Sequence, residues 1–407
     1  MAEKKKSGFE TLAQAGLATQ EQMLAVKKKK GTFFLGLPRE ISLQENRITL
    51  TPDAVAILVN NGHQVWVETK AGAGSKFSDQ QYSEAGATIV YSPQEVYKAD
   101  VILKIEPPTL EETEYMRPGQ TLISAIQLGH LQPEYIQALL KKKVTALAFE
   151  FIEDKVGGMP IIRAMSEIAG SSVMLIAAEY LSTANNGKGV ILGGITGVPP
   201  TKVVIIGAGT VAEYSARAAL GMGADVQIFD NHLYKLRRIK HLLGQQVYTS
   251  TIDTLTLSES LKTADVVIGA LRAEKGRARI VVSEEMVSKM KPDSLIIDLS
   301  IDQGGCVETS EITTLKKPVF RKYDVIHYCV PNVASRVAHT AATALSNIFT
   351  PTILRAAEEG GVEQMIFSSK WFMKGVYTYK GSLTNEAVGR KFGMKYKNIE
   401  LLLAARF

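Results

Sequence analysis

The chain has 407 residues, 45% of them hydrophobic and 22% charged, and a formal net charge of +6. That length exceeds what one core usually serves, so two domains are expected, and the ordinary polar balance excludes a disordered chain. The basic excess sits in residues 4–6, 27–30 and 141–143, short lysine clusters without interleaved aromatics that read as solvated ends and helix tips, so no nucleic-acid partner is expected. Around the most apolar helix the longest uncharged stretch, residues 168–178 between Glu167 and Glu179, is too short to cross a bilayer. Cys306 and Cys329 have no ligand-like spacing, which leaves neither a disulfide framework nor a metal site. The lysine-rich start has no apolar signal core, and a cytoplasmic protein is expected.

Residues 1–31 read as an appended segment with a helical apolar pattern through Phe9, Leu12, Leu17 and Met23. From residue 33 strand and helix alternate. A strand at 33–36 is followed by a helix opened by Thr51 and Pro52 and closed near Gly62, and then by a strand at 64–68. A helix at 78–85, a strand at 88–91, a helix after Ser92 and Pro93, and strands at 101–105 and 121–124 continue the series. A long apolar helix over 165–183 leads through a Gly- and Pro-rich loop into a second alternating series that runs to about residue 328. Residues 337–354 then form another long helix returning toward the first domain. This order implies an α/β protein of two Rossmann-like, doubly wound parallel-sheet domains with a cleft between them. The expected division is an extension at 1–31, a discontinuous substrate domain at 32–160 plus 340–407, and a nucleotide domain at 161–339. Met365, Phe367, Trp371, Phe372 and Met373 are expected to pack one face of a C-terminal helix or an interface.

The strongest chemical signal begins where the strand at 203–206 runs into Gly207-Ala208-Gly209-Thr210-Val211-Ala212 and a helix follows. Gly207 permits the tight turn, Gly209 lets backbone approach a pyrophosphate, and Ala212 allows close helix packing. Asp230 ends the next strand at the spacing of an acid that accepts hydrogen bonds from ribose hydroxyls and repels a 2′-phosphate, which predicts NAD rather than NADP. Lys235 and Arg237 are cations near that pocket which a phosphate could use. The histidines offer no metal-ligand pattern: His327 reads as a satisfied strand residue, and His63, His232 and His241 as surface or helix-end residues.

Several segments together resemble the alanine dehydrogenase and transhydrogenase α-subunit family, and more closely its dehydrogenase branch. They are Gly36-Leu37-Pro38-Arg39-Glu40, Glu45-Asn46-Arg47, Leu50-Thr51-Pro52, Ser166-Glu167-Ile168-Ala169-Gly170, Gly193-Gly194-Ile195, Gly197-Val198-Pro199-Pro200 and Ile301-Asp302-Gln303-Gly304-Gly305. The resemblance spans about residues 33–383 and implies NAD in an interdomain cleft, an amino-acid or 2-oxo-acid substrate, and a homo-oligomer, commonly a hexamer. It also implies that Arg47 holds the substrate carboxylate, that Asp302 handles the attacking water, and that Asn332 and Ser166 flank the nicotinamide. On residue chemistry alone Asp302 equally suits a turn, and Arg47 a surface salt bridge with Glu45.

Two positions depart from the family pattern. Glu106 stands where the family's substrate lysine belongs, and Gln127 where its catalytic histidine belongs. An anion in place of a cation beside a substrate carboxylate changes attraction into repulsion. An amide cannot exchange a proton near neutral pH. Lys104, two residues from Glu106 and on the same strand face, and His130, three past Gln127, are the substitutes within reach. Three readings follow: an NAD-dependent alanine dehydrogenase, a related oxidoreductase whose substrate carries an extra amine for Glu106, or an NAD-binding protein without turnover.

Overall fold

A computed structural model describes residues 31–42, 44–129, 131–272 and 277–404. The extension at 1–30 and His130 lie outside the described residues. In the first series the strands are β1 (Phe34–Leu37), β2 (Gln64–Glu68), β3 (Thr88–Val90), β4 (Val101–Leu103), β5 (Thr121–Ser124) and β6 (Thr145–Ala148). The second series holds β7 (Lys202–Ile206), β8 (Asp225–Phe229), β9 (Tyr248–Ser250), β10 (Val266–Gly269), β11 (Leu295–Asp298), β12 (Val319–Lys322) and β13 (Val325–Tyr328). Two late strands, β14 (Val376–Tyr379) and β15 (Ser382–Leu383), return to the first sheet.

The sheet orders are β15-β14-β6-β5-β4-β1-β2-β3 and β12-β13-β11-β10-β7-β8-β9. All pairings are parallel except those of the added edge strands, β6 with β14, β14 with β15, and β12 with β13. Central strands of such sheets are covered on both faces, and their sequences are accordingly apolar without alternation. Val203, Val204, Ile205 and Ile206 in β7 are all fully buried, as are Val266, Val267 and Ile268 in β10.

Local chemistry sets where the helices start. Thr51 caps the Pro52–Asn60 helix by accepting from the Ala54 amide, with proline in the first turn. Ser78 with Gln81 and Thr109 with Glu112 form reciprocal capping boxes at the next two starts. The Pro160–Leu181 helix is long and apolar enough to cross a membrane by length and composition. It packs instead within the second core through Val173, Met174, Ile176, Ala177 and Leu181. Gly170 brings it so close to the Thr210–Gly221 helix that an added Cβ would stand 2.5 Å from the Val211 carbonyl oxygen.

The structure corrects three expectations. The aromatic C-terminal stretch forms two short helices, Val362–Ser368 and Lys370–Met373, because Ser369 between them is extended. The two sheets are not wholly parallel as expected, because β12, β14 and β15 add antiparallel pairings at their edges. His63 stands just past the end of the Pro52–Asn60 helix, its amide on the Leu58 carbonyl, but is buried rather than at the surface, and its Nδ1 accepts from the Phe33 amide at 3.1 Å. His327 is buried between Thr309 Oγ1 at 2.8 Å and the Val325 carbonyl at 3.0 Å.

Candidate active site

Both sheets reverse their winding direction once, between β1 and β4 and between β7 and β10. Loops leaving the carboxyl ends of strands diverge at such points and open a crevice for ligands. The segment after β1 carries Glu40, Glu45 and Arg47, the end of β4 leads to Lys104 and Glu106, and the turn after β5 carries Gln127. From the second series come Asp302, in the 3-10 turn Leu299–Gln303, and Asn332, just beyond β13.

Glu45 ties these groups together. Its Oε1 accepts from Arg47 Nε at 2.8 Å and from the Arg47 amide at 2.9 Å. Its Oε2 accepts from Arg47 Nη2 at 2.5 Å and from Asn332 Nδ2 at 2.8 Å. Burial alone would raise this carboxyl, but the Arg47 charge and these donors hold it below the ordinary carboxylate range. Among the described residues, the remaining nitrogen of Arg47, Nη1, donates to the Met165 thioether at 3.4 Å. A thioether is a weak acceptor, which leaves that donor open to exchange for a carboxylate. The expected alternative of a surface pair is excluded, since both side chains are 10% exposed or less.

Asp302 is exposed, and its Oδ1 accepts from the Asn332 amide at 3.0 Å. Asn332 is in the left-handed region at φ 57, which turns its side chain toward Glu45 while its backbone faces Asp302. Gly304 and Gly305, both at positive φ, close the turn, so Asp302 belongs to a tight turn and to this network at once.

Glu106 is 8% exposed, and its Oε2 accepts from Gln127 Nε2. Burial, then the neighbouring Glu45 charge, push its carboxyl up to about 8 against the pull of Arg47. Gln127 has φ 47, a strained value for a non-glycine, and is held there by Glu150, whose Oε1 accepts both the Ile126 and Gln127 amides. Lys104 is elsewhere engaged. It is 1% exposed, with Nζ 2.6 Å from Glu112 Oε1 and 3.6 Å from Glu40 Oε2. Of the sequence-predicted groups, the structure thus brings Arg47, Glu106, Gln127, Asp302 and Asn332 to one cleft and turns the Lys104 ammonium toward Glu112. Glu40, Glu150 and Ser335 were not singled out, and Glu45 only as a surface partner of Arg47. The one signal in sequence was the placing of two acids, Glu40 and Glu45, close before Arg47.

The glycine turn after β7 lies at the second switch point. Gly207 has φ 116, and a Cβ there would approach the Ala270 carbonyl oxygen to 2.5 Å. A Cβ on Gly209 would meet nothing within 4 Å, so the space above it is open. The Thr210–Gly221 helix starts from Gly209 without a side-chain cap, and its first amides face that opening. Ala212 is fully buried in the second core. Asp230, 4% exposed at the end of β8, accepts from the Ala208 amide at 2.8 Å through Oδ2 and from His232 through Oδ1. Lys235 lies half-buried on the Leu233–Leu243 helix, its ammonium 6.0 Å from the Tyr234 ring centroid. Ser166 is one residue from the Met165 contact with Arg47 and one turn from Gly170, which touches the glycine-turn helix. A pyrophosphate over Gly209 and a ribose beside Asp230 fit these features. A cavity of about 320 Å³ lined by Phe33, Asp100, Arg117 and Glu363 lies at the amino ends of the first-sheet strands, away from this chemistry.

The family model for the alanine dehydrogenase/PNT N-terminal domain matches residues 36–169, and that for the C-terminal domain matches residues 173–386. The chain belongs to the alanine dehydrogenase/PNT family. It is 39% identical over 370 residues to alanine dehydrogenase of Bacillus subtilis (strain 168), covering 91% of this chain and 97% of that protein. Alanine dehydrogenase 2 of Staphylococcus aureus (strain USA300) is 39% identical over 367 residues, covering 90% and 98%. Among solved structures an L-alanine dehydrogenase superposes with a TM-score of 0.83 at 35% identity, over 88% of this chain and 99% of that one. The transhydrogenase of Sinorhizobium meliloti shares the fold, with a TM-score of 0.75 at 24% identity over 87% and 99%. Two Rossmann-like domains facing one cleft are therefore the architecture of the alanine dehydrogenase/PNT family in this chain.

Proposed function

We propose that this chain is an NAD-dependent alanine dehydrogenase, converting L-alanine and water to pyruvate and ammonia, and that it works as a cytoplasmic homo-oligomer, a hexamer by resemblance. The observation that carries the reading is the hydrogen-bonded chain from Asp302 through Asn332 and Glu45 to Arg47, which crosses the cleft between two nucleotide-type folds. Similarity to alanine dehydrogenases over about nine-tenths of the chain supports it. When bound, NAD would supply the acceptor for a hydride from the substrate α-carbon. In this reading Gly207, Gly209 and Ala212 shape the pyrophosphate seat, Asp230 takes the ribose, and Ser166 and Asn332 flank the nicotinamide. Lys235 stands on the following helix, from which Arg238 Nη2 reaches the glycine turn and donates to the Ala208 carbonyl at 3.2 Å. Arg47 Nη1 exchanges the Met165 sulfur for the substrate carboxylate, and Asp302 orients the water that adds to the imine.

The acids Glu40, Glu45 and Glu106 around Arg47 favour a second substrate class, amino acids with an additional amine. NADH formation measured over a panel of L-amino acids, diamino acids included, with NAD and NADP titrated calorimetrically in parallel, separates the readings. Alanine is expected to lead, and NAD to bind several-fold more tightly than NADP. Diamino acids leading would move the assignment to the second class, and binding without any turnover would leave a cofactor-binding protein.

A further inference from the structure

We infer that Glu106, seated against Gln127, is the group that takes up the substrate's exchangeable proton in this cleft and releases it to solvent, doing with a carboxyl what a basic side chain does elsewhere. The inference rests on the dehydrogenase reading above. Its geometric basis is a competition for one guanidinium. Arg47 commits Nε and Nη2 to Glu45, whose Oε2 also takes the Asn332 amide group. Glu106, as buried as Glu45, receives no such cationic donor: it accepts from the neutral Gln127 amide and shares a hydrogen bond with the Glu45 carboxyl itself, a contact that two carboxyls make only when one of them carries a proton. Two interacting carboxyls beside one cation titrate as a pair in which one holds the charge and the other the proton. Here Glu45 holds the charge.

The groups facing Glu106 all push the same way or are already spoken for. From the segment after β1 come Glu40 and Glu45, both negative when ionised, and Arg47, bound to Glu45. Lys104, just beyond β4, is bound to Glu112 and beyond it to Glu40. From the turn after β5 comes Gln127, with Glu150 behind it. Burial and these neighbours put the Glu106 carboxyl at about 8, where it both gives and takes a proton near neutral pH. Gln127 donates to Oε2 whether Glu106 is ionised or not, and so leaves the proton to Oε1. Its strained backbone, pinned by Glu150, fixes the direction of that amide.

An N–H bond of the substrate ammonium breaks, its electron pair stays on nitrogen, and the proton joins the Glu106 carboxylate. The freed pair closes the carbon–nitrogen double bond as the α-hydrogen departs as hydride. After water has added to that carbon, one water proton goes to nitrogen and the other leaves with the ammonia as ammonium, while the proton on Glu106 passes to solvent and resets the site.

Infrared titration of the ligand-free protein reads the proton directly. Wild type should show a protonated-carboxyl band that disappears near pH 8 and is absent from Glu106→Gln, whereas identical titrations of the two proteins would overturn the inference. In turnover, the deamination kcat of wild type should rise through the same pH. Glu106→Gln should lose about 10²–10⁴-fold in kcat and the pH step with it, with KM changed only a few-fold, and Glu106→Asp should recover part of both. Full kcat and an unchanged pH profile in Glu106→Gln would also overturn it. If wild type oxidises no amino acid at all, the dehydrogenase reading fails, and the infrared band still decides whether Glu106 holds the proton.

Discussion

Lys104 is 1% exposed, and its ammonium is fixed by Glu112 at 2.6 Å with Glu40 at 3.6 Å. Removing one partner of such a buried pair strands the other, at a cost of about 3–5 kcal/mol. Lys104→Met is therefore expected to lower Tm by roughly 10 °C, and Lys104→Met with Glu112→Gln to regain most of it. A single variant as stable as wild type would show that the pair is not formed. The strand-face argument that sent Lys104 to the substrate failed locally: β4 ends at Leu103, and beyond it Glu40 takes the Ile105 amide, so side-chain alternation no longer governs residues 104–106. What sequence did show there was the pair of departures, Glu106 and Gln127, and the structure joins them by a hydrogen bond. Burial raises Glu106 to about 8 and Glu40 to about 7 from 4.5. Between about pH 4.5 and 8 the folded state thus binds more protons than the unfolded one, and these two groups make stability fall as pH rises through that window. Glu106→Gln removes one of the two contributions, and its Tm, measured by calorimetry, should gain on wild type between pH 5 and pH 9. A parallel pH dependence in both proteins would contradict this.

The turn from β7 into the Thr210–Gly221 helix gives two glycines opposite fates. Gly207 needs positive φ and has the Ala270 carbonyl where a Cβ would go, so Gly207→Ala should disturb the nucleotide domain itself. Gly209 faces open space, and Gly209→Val should fold with an unchanged circular dichroism spectrum while losing NAD binding, because its side chain fills the seat of the pyrophosphate. Retained NAD affinity in a folded Gly209→Val would place the cofactor elsewhere. These elements were legible because strand, glycine turn and helix follow one another directly, and caps such as Thr51 and Ser78 mark the starts. The strands β14 and β15 were not legible. They are short, antiparallel and follow broken helices, and β14 pairs with β6 across more than two hundred residues of intervening chain, which no local pattern encodes.

At the scale of the molecule, the cleft is spanned by a latch. Ser335 Oγ accepts from the Asn46 amide at 2.9 Å and donates to the Gln44 carbonyl at 2.6 Å, and Gln44 Oε1 accepts from the Leu315 amide. One helix later, Ser346 accepts from the Thr51 amide at 2.7 Å, seating the Ala338–Glu358 helix on the first core. The segment that carries Arg47 is therefore positioned by residues from beyond the second sheet, a dependence on long-range contacts that sequence could suggest only through family resemblance. The central claim is that this shared cleft oxidises L-alanine at the expense of NAD. The most direct test is the product balance of one reaction mixture, with pyruvate, ammonia and NADH each quantified against L-alanine consumed by the purified 407-residue chain. Equal amounts of all three are predicted. NADH formed without matching ammonia and pyruvate, or no L-alanine consumed by protein that binds NAD, would contradict it.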